Sequence, residues 1–247
     1  MIYRYQILIE YEGSKFNGWQ SQPKGRTVQK FIQNKLSKIL HQKVSLVGAG
    51  RTDSGVHAIE QSAHFDIKKK IKDNKKFLNT LNFFLNKNLI SIKKIKKKGK
   101  NFHSRFSAKK RLYKYIIFNR DSSPSIEKNR GWHIKKKLDL KIMKIGAKKL
   151  EGTNDFSTFR SSTCGAKSPI RTIDYVKICK KKEIIEIKIK SKSFLQQQVR
   201  SMVGCLKYLG EKKWTKEKFH QVLMSRNRNE CAPPAPAHGL YLEKVIY

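Results

Sequence analysis

The chain has 247 residues, 38 % of them hydrophobic, with 56 Lys and Arg against 18 Asp and Glu and a formal net charge of +38. The apolar residues run along the whole chain, which excludes a disordered basic tail, and none of its apolar stretches is long enough to span a bilayer. The four cysteines form no CxxC or Cys/His cluster at zinc-ligand spacing, so reduced thiols and no metal site are expected.

Residues 4–11 alternate, with Ile7, Ile9 and Tyr11 on one face, and predict a strand. The chain enters this strand directly, without signal-peptide organisation, so the expected location is cytoplasmic. A loop at 13–20 follows. Thr27 is placed to N-cap a helix carrying Val28, Phe31, Ile32, Leu36, Ile39 and Leu40 on one face. Strands are expected at 44–49 and 60–66, with a Gly-rich loop between them. Phe77, Leu78, Leu81, Phe84 and Leu85 mark a second amphipathic helix, and Ile90, Ile92 and Ile95 a further strand. The order is β-α-β-β-α-β, the ferredoxin-like pattern.

The second half approximates the same order. A strand at 110–118 leads to a helix started by Asp139, with Leu140, Met143, Ile145 and Leu150. Strands at 171–179 and 183–190 follow, then helices at 194–209 and 215–225. The Pro-rich piece 232–237 is an extended lead-in to a closing strand with Leu240, Leu242, Val245 and Ile246. The expected fold class is α+β: two ferredoxin-like halves, a central antiparallel sheet and a cleft between the halves. The expected domains are 1–104, carrying the Gly-rich loop, and 105–247, completing the cleft. No Gly/Ser linker marks the seam near 100–108.

A net charge of +38 draws in a polyanion over long range, and nucleic acid is the leading class. The enrichment in Lys, Ile and Asn is also the signature of an AT-rich coding sequence. The lysine runs at 68–70, 93–100 and 135–137 therefore carry little weight as site markers, while Arg51, Arg105, Arg160, Arg171 and Arg200 carry more. Against this background a scarce carboxylate, Asp53, lies in Gly48-Ala49-Gly50-Arg51-Thr52-Asp53-Ser54-Gly55-Val56-His57. Taken alone, Thr-Asp-Ser-Gly reads first as a plain turn, because Asp and Ser bond their own backbone. It also reads as a nucleophile beside a cation, Arg51, which can hold the carboxylate ionised and neutralise a phosphate.

The rest of the chain bears on that choice. The Asp53 loop resembles the catalytic loop of the TruA family of tRNA pseudouridine synthases, and six further segments match the family in order. Residues 11–20, Tyr-Glu-Gly-Ser-Lys-Phe-Asn-Gly-Trp-Gln, resemble its YDGxxxxGWQ element, and residues 102–108 its FHARFSA element. Residues 111–115 resemble RxYxY, residues 155–160 DFxSFR, residues 198–204 MVRxxVG, and residues 239–242 the closing GLYL. The resemblance spans nearly the whole chain.

It implies an isomerisation without metal or cofactor. The N-glycosidic bond of a uridine in tRNA is cut, the base turns in place, and C5 joins ribose C1′. Asp53 is implied as the nucleophile, attacking either C1′ or C6. Arg200 is implied to pair with it and keep it ionised, Tyr113 to stack on the uracil and move a proton, Leu240 to pack beneath the base, and Arg51 to take a phosphate or help hold the loop. Two segments resemble tRNA-contacting loops: Phe102, His103, Ser104, Arg105 and Phe106, and Thr163, Cys164, Gly165, Ala166 and Lys167. Gln196, Gln197 and Gln198 stand where many members carry histidines, and Ser54 where Ala is common. His57 is retained, with a loop-fixing hydrogen bond as one reading of its role. The implied partner is the tRNA anticodon stem-loop, at positions 38, 39 and 40, and the implied assembly a homodimer. The alternative is a non-catalytic RNA-binding protein with two RRM-like sheets, although neither half shows an RNP1-like aromatic run. The HxE and PCxxC signature of a zinc base deaminase is absent.

Overall fold

The structure is a computed structural model describing residues 1–247. It divides into two compact units, Met1–Lys109 with Leu242–Tyr247, and Lys110–Tyr241. The first boundary lies five residues beyond the sequence-based seam, and the last six residues belong with the first unit. The cause is local. Lys109 donates its N–H to the Ile246 carbonyl at 2.8 Å, and the Tyr247 hydroxyl donates to the Ser104 carbonyl at 2.9 Å. Such a return of the terminus is invisible to any reading of a contiguous segment.

The first unit contains β1 (Tyr3–Tyr11), α1 (Val28–Leu40), β2 (Leu46–Gly48), β3 (His57–Ile67), α2 (Asn74–Leu85) and β4 (Ile90–Lys98). β1 pairs antiparallel with both β3 and β4, and β2 pairs antiparallel with β3. Alternation along β1 buries Tyr5, Ile7, Ile9 and Tyr11. Each helix buries one i, i+4, i+8 row, Val28, Ile32 and Leu36 on α1 and Phe77, Leu81 and Leu85 on α2. Phe84, expected on that row, is 42 % exposed, because it lies next to Leu85 and a quarter-turn off the stripe. Asp73 caps α2, accepting from the Lys75 and Lys76 N–H groups. Thr27 stands at the N-cap of α1, but its hydroxyl makes no cap bond.

The opposite face of the β1–β3 pair is polar. Arg4, Gln6, Ser62, His64 and Asp66 share it, and Gln6, Ser62 and His64 are buried. Residues 102–107 and Tyr247 bond to this face.

The second unit contains β5 (Lys110–Asn119), β6 (Trp132–Ile134), α3 (Leu140–Lys149), β7 (Gly152–Asp155), β8 (Ile170–Lys181), β9 (Ile184–Ser191), α4 (Gln198–Gly210) and α5 (Lys216–Met224). The strand order is β5-β9-β8-β7, all antiparallel, with β6 parallel to β5. β6 and β7 are too short to give a periodic signal, and the sequence reading lacks both. Asp139 caps α3 as expected, accepting from Lys141 and Ile142. Ile145 is 45 % exposed; the buried row is Met143, Gly146, Ala147 and Leu150.

The helix expected at 194–209 starts at Gln198. Gln197 adopts φ 62° in the left-handed region, which ends any helix running through it. The Gln198 amide oxygen accepts the Leu195 N–H at 2.8 Å, satisfying a donor of the preceding turn. No helix is long and apolar enough to cross a membrane.

Candidate active site

The chain leaves β2 at Gly48 and reaches β3 at His57, and the intervening loop is tied down along its length. Ala49 N–H donates to the Ser62 carbonyl at 2.8 Å, and Gln61 Nε2 donates to the Gly50 carbonyl at 2.9 Å. Trp19 N–H donates to the Thr52 carbonyl at 3.1 Å, and the Thr52 hydroxyl shares a 2.8 Å hydrogen bond with Tyr11 Oη. Ser54 Oγ donates to the Phe16 carbonyl at 3.2 Å, and Val56 N–H closes a turn on the Asp53 carbonyl at 3.2 Å. Asp53 is the first residue of that turn, half-buried between buried Thr52 and Val56.

The 13–20 loop is the other jaw of this clamp. A Cβ on Gly13 would sit 2.1 Å from the Val56 carbonyl oxygen, so only glycine permits the approach. Gly18 has φ +84° and faces the Thr52 carbonyl at 2.6 Å from an ideal Cβ, so both conformation and space demand glycine there. His57 Nδ1 accepts the Gly13 N–H at 3.0 Å, which makes it a loop-fixing group. Arg51 is exposed, and its Nε donates to Gln20 Oε1 at 3.2 Å.

Tyr113, Arg200 and Leu240 lie in the second unit. Tyr113, on β5, is half-buried and meets Phe194 edge-on at 5.2 Å between centroids. Leu240 is buried at 5 % exposure where β10 (Leu240–Ile246) begins. Arg200, near the start of α4, exchanges two hydrogen bonds with Ala235. Its Nε donates to the Ala235 carbonyl at 2.7 Å, and Ala235 N–H donates to the Arg200 carbonyl at 3.0 Å. One helical turn on, a Cβ on Gly204 would sit 2.2 Å from the Pro233 carbonyl oxygen. The Pro-rich strap 232–237 therefore lies directly against α4.

The two loops singled out for RNA contact divide by exposure. Phe106 is 76 % exposed, stacked on His103 at 4.4 Å, with the Arg105 guanidinium 5.5 Å from its ring centroid. Ser104 is fully buried, donating its N–H to His64 Nδ1 at 3.1 Å. Phe102 packs on Tyr247 at 5.0 Å. In the second loop Thr163, Gly165 and Lys167 are exposed and Ala166 is half-buried. Cys164 is buried, its N–H on the Ser161 carbonyl at 3.0 Å. Ser104 and Cys164 thus support their loops from within.

The model of the tRNA pseudouridine synthase family matches residues 7–107 and 147–247. The chain belongs to this family. It is 63 % identical over 246 residues to the tRNA pseudouridine synthase A of Pelagibacter ubique, covering 100 % of both chains. The enzyme of the same name from Parvibaculum lavamentivorans is 39 % identical, with 99 % of each chain covered. That from Paramagnetospirillum magneticum is 41 % identical, covering 99 % of this chain and 95 % of the other.

Sequence reasoning missed several residues of this synthase-family chain. The support beneath residues 102–107 is one: Arg4 holds Asp66 at 2.7 Å and donates to the Phe102 carbonyl at 2.7 Å. Gln6 Nε2 donates to Ser62 Oγ at 2.9 Å, the Ser62 and Tyr247 hydroxyls share a 2.7 Å hydrogen bond, and Tyr247 Oη–H donates to the Ser104 carbonyl at 2.9 Å. Only the polar residues at the even positions of a strand otherwise rich in isoleucine signal that face. Burial, with Arg4 next, lowers the His64 pKa to about 4. The ring is therefore neutral and its Nδ1 is an acceptor.

Proposed function

We propose that this chain, an isomerase that converts uridine in tRNA to pseudouridine, acts on positions 38, 39 and 40 of the anticodon stem-loop with Asp53 as the nucleophile. The observation that carries this reading is the Asp53 loop. A half-buried carboxylate opens a tight turn, gripped by backbone bonds on both flanks, in a chain with a net charge of +38. A purely RNA-binding surface has no use for such a group, because a carboxylate facing phosphate repels it.

In the proposed reaction the target uridine leaves the stem stack, at a cost of roughly a few kcal/mol. The ionised Asp53 carboxylate adds to ribose C1′ or to base C6. The N1–C1′ bond breaks, the uracil turns, and C5 bonds to C1′. The bond to Asp53 then breaks to release the carboxylate, and the C5 proton is removed as N1 gains one, so atoms and charge balance. Arg200 keeps Asp53 ionised, and its Nε bond to Ala235 fixes the guanidinium orientation. Tyr113 stacks on the uracil and takes the C5 proton, and Leu240 supports the base from below. Arg51, bonded only to neutral Gln20, is available to a phosphate. Phe106, His103 and Arg105 give a stacking and cationic surface for the RNA, and Thr163, Gly165, Ala166 and Lys167 a second contact. The two units are read as ferredoxin-like halves, and the working form as a cytoplasmic homodimer.

Incubation with unmodified tRNA, followed by chemical mapping of pseudouridine, tests this. New signals are expected in the anticodon arm, abolished by Asp53→Asn with tRNA binding retained. Full activity in Asp53→Asn would remove the nucleophile assignment, and signals confined to another arm would remove the target assignment.

A further inference from the structure

The strap 232–237 has three prolines and hence few N–H groups with which to tie itself down. Beyond the Ala235 N–H on the Arg200 carbonyl, its attachment falls to its carbonyls. Two consecutive ones are gripped by side chains from different elements. Arg200 Nε of α4 holds the Ala235 carbonyl at 2.7 Å, and Tyr115 Oη of β5 donates to the Pro236 carbonyl at 2.8 Å. Tyr115 is fully buried. It lies two residues along β5 from Tyr113 and so on the same face of the strand. Its ring also occupies the space at Gly239, where an ideal Cβ would lie 2.5 Å from the ring Cζ. Gly239 immediately precedes Leu240. Burial raises the phenol pKa well above its ordinary value, against the opposing pull of the Arg200 cation. The hydroxyl therefore remains protonated and donates at any working pH.

We propose that Tyr115 is a positioning residue for the isomerisation, holding the strap so that Arg200 on one side and Leu240 on the other stay in register. The proposal rests on the roles assigned above to those two residues. It differs from simple carbonyl satisfaction in what it affects. A buried hydroxyl that only stabilises the fold changes the melting temperature. One that sets the strap changes the rate on bound tRNA.

The test is Tyr115→Phe, which keeps ring volume and removes one donor. The single-turnover isomerisation rate at saturating enzyme is expected to fall about tenfold or more, with the tRNA Kd within about twofold. Gly239→Ala approaches the same contact from the other side, pushing the ring while leaving the hydroxyl in place, and is expected to give the same split. Combining Tyr115→Phe with Arg200→Lys is expected to lose less than the product of the single losses, because both act on one strap. A wild-type rate in both Tyr115→Phe and Gly239→Ala, or a loss confined to Kd, would overturn the proposal. If Tyr115→Phe melts below the assay temperature, the Gly239→Ala rate and Kd decide alone. Asp53→Asn is run alongside. If it is inactive while Tyr115→Phe is unimpaired, only the positioning idea fails. If it is fully active, the site assignment itself fails.

Discussion

His64 makes stability depend on pH in a window set by its surroundings. In the folded chain Nδ1 accepts the Ser104 N–H at 3.1 Å and faces the Ser104 hydroxyl at 3.0 Å. Protonation would turn it toward a backbone donor. Desolvation chiefly, then the Arg4 and His103 charges, lowers its pKa from 6.5 to about 4, while Asp66 opposes weakly. The depressed value means that the folded state resists the proton. Above pH 6.5 both states are neutral and the folded state carries no penalty. As the pH falls below 6.5 the unfolded chain takes up a proton that the folded chain refuses. Stability then declines by about 1.4 kcal/mol per pH unit until about pH 4, a total of about 3 kcal/mol. Urea unfolding at pH 7.5 and pH 5.0 is expected to show a loss of about 2 kcal/mol from this residue. His64→Gln keeps an acceptor for the Ser104 N–H and does not titrate. The loss between the two pH values should therefore be about 2 kcal/mol smaller in the variant, while His103 and His238, also lowered chiefly by desolvation, contribute in both proteins. An identical pH dependence in variant and wild type would refute the reasoning.

Other predictions concern the same elements. Gly13→Ala forces a methyl against the Val56 carbonyl at 2.1 Å. It should cost about 1–3 kcal/mol of stability by denaturant melt, and activity on the order of 100-fold as the Asp53 turn shifts. Asp73→Ala removes the cap of α2, which is remote in sequence from the catalytic segments. A loss of about 1 kcal/mol with unchanged pseudouridine formation is expected. Among the thiols, Cys231 is lowered by its hydrogen bond from Cys205, 3.5 Å away, and by the Arg228 charge, whereas Cys205 is raised by the same pairing and by burial. Alkylation followed by mass mapping should therefore modify Cys179 and Cys231 before the buried Cys164 and Cys205.

Where a residue's neighbours are local, the sequence alone was sufficient. The isoleucine alternation of β1, the i, i+4, i+8 rows of α1 and α2, and the Asp139 cap are all set by nearest neighbours and by the periods of strand and helix. The candidate nucleophile was equally legible, as an acidic residue among glycines in a chain with so few carboxylates. Tertiary structure decided the rest, because those features depend on contacts between segments far apart in the chain. Trp19 and Phe16, more than thirty residues upstream, hold the turn that presents Asp53. The final residue, Tyr247, bonds beneath Phe102–Phe106, and Ala235 bonds Arg200 across a gap that no periodicity bridges. Gln197 shows the limit most simply. Glutamine suits a helix, but this one stands at the N-cap in a left-handed conformation, and α4 begins one residue later.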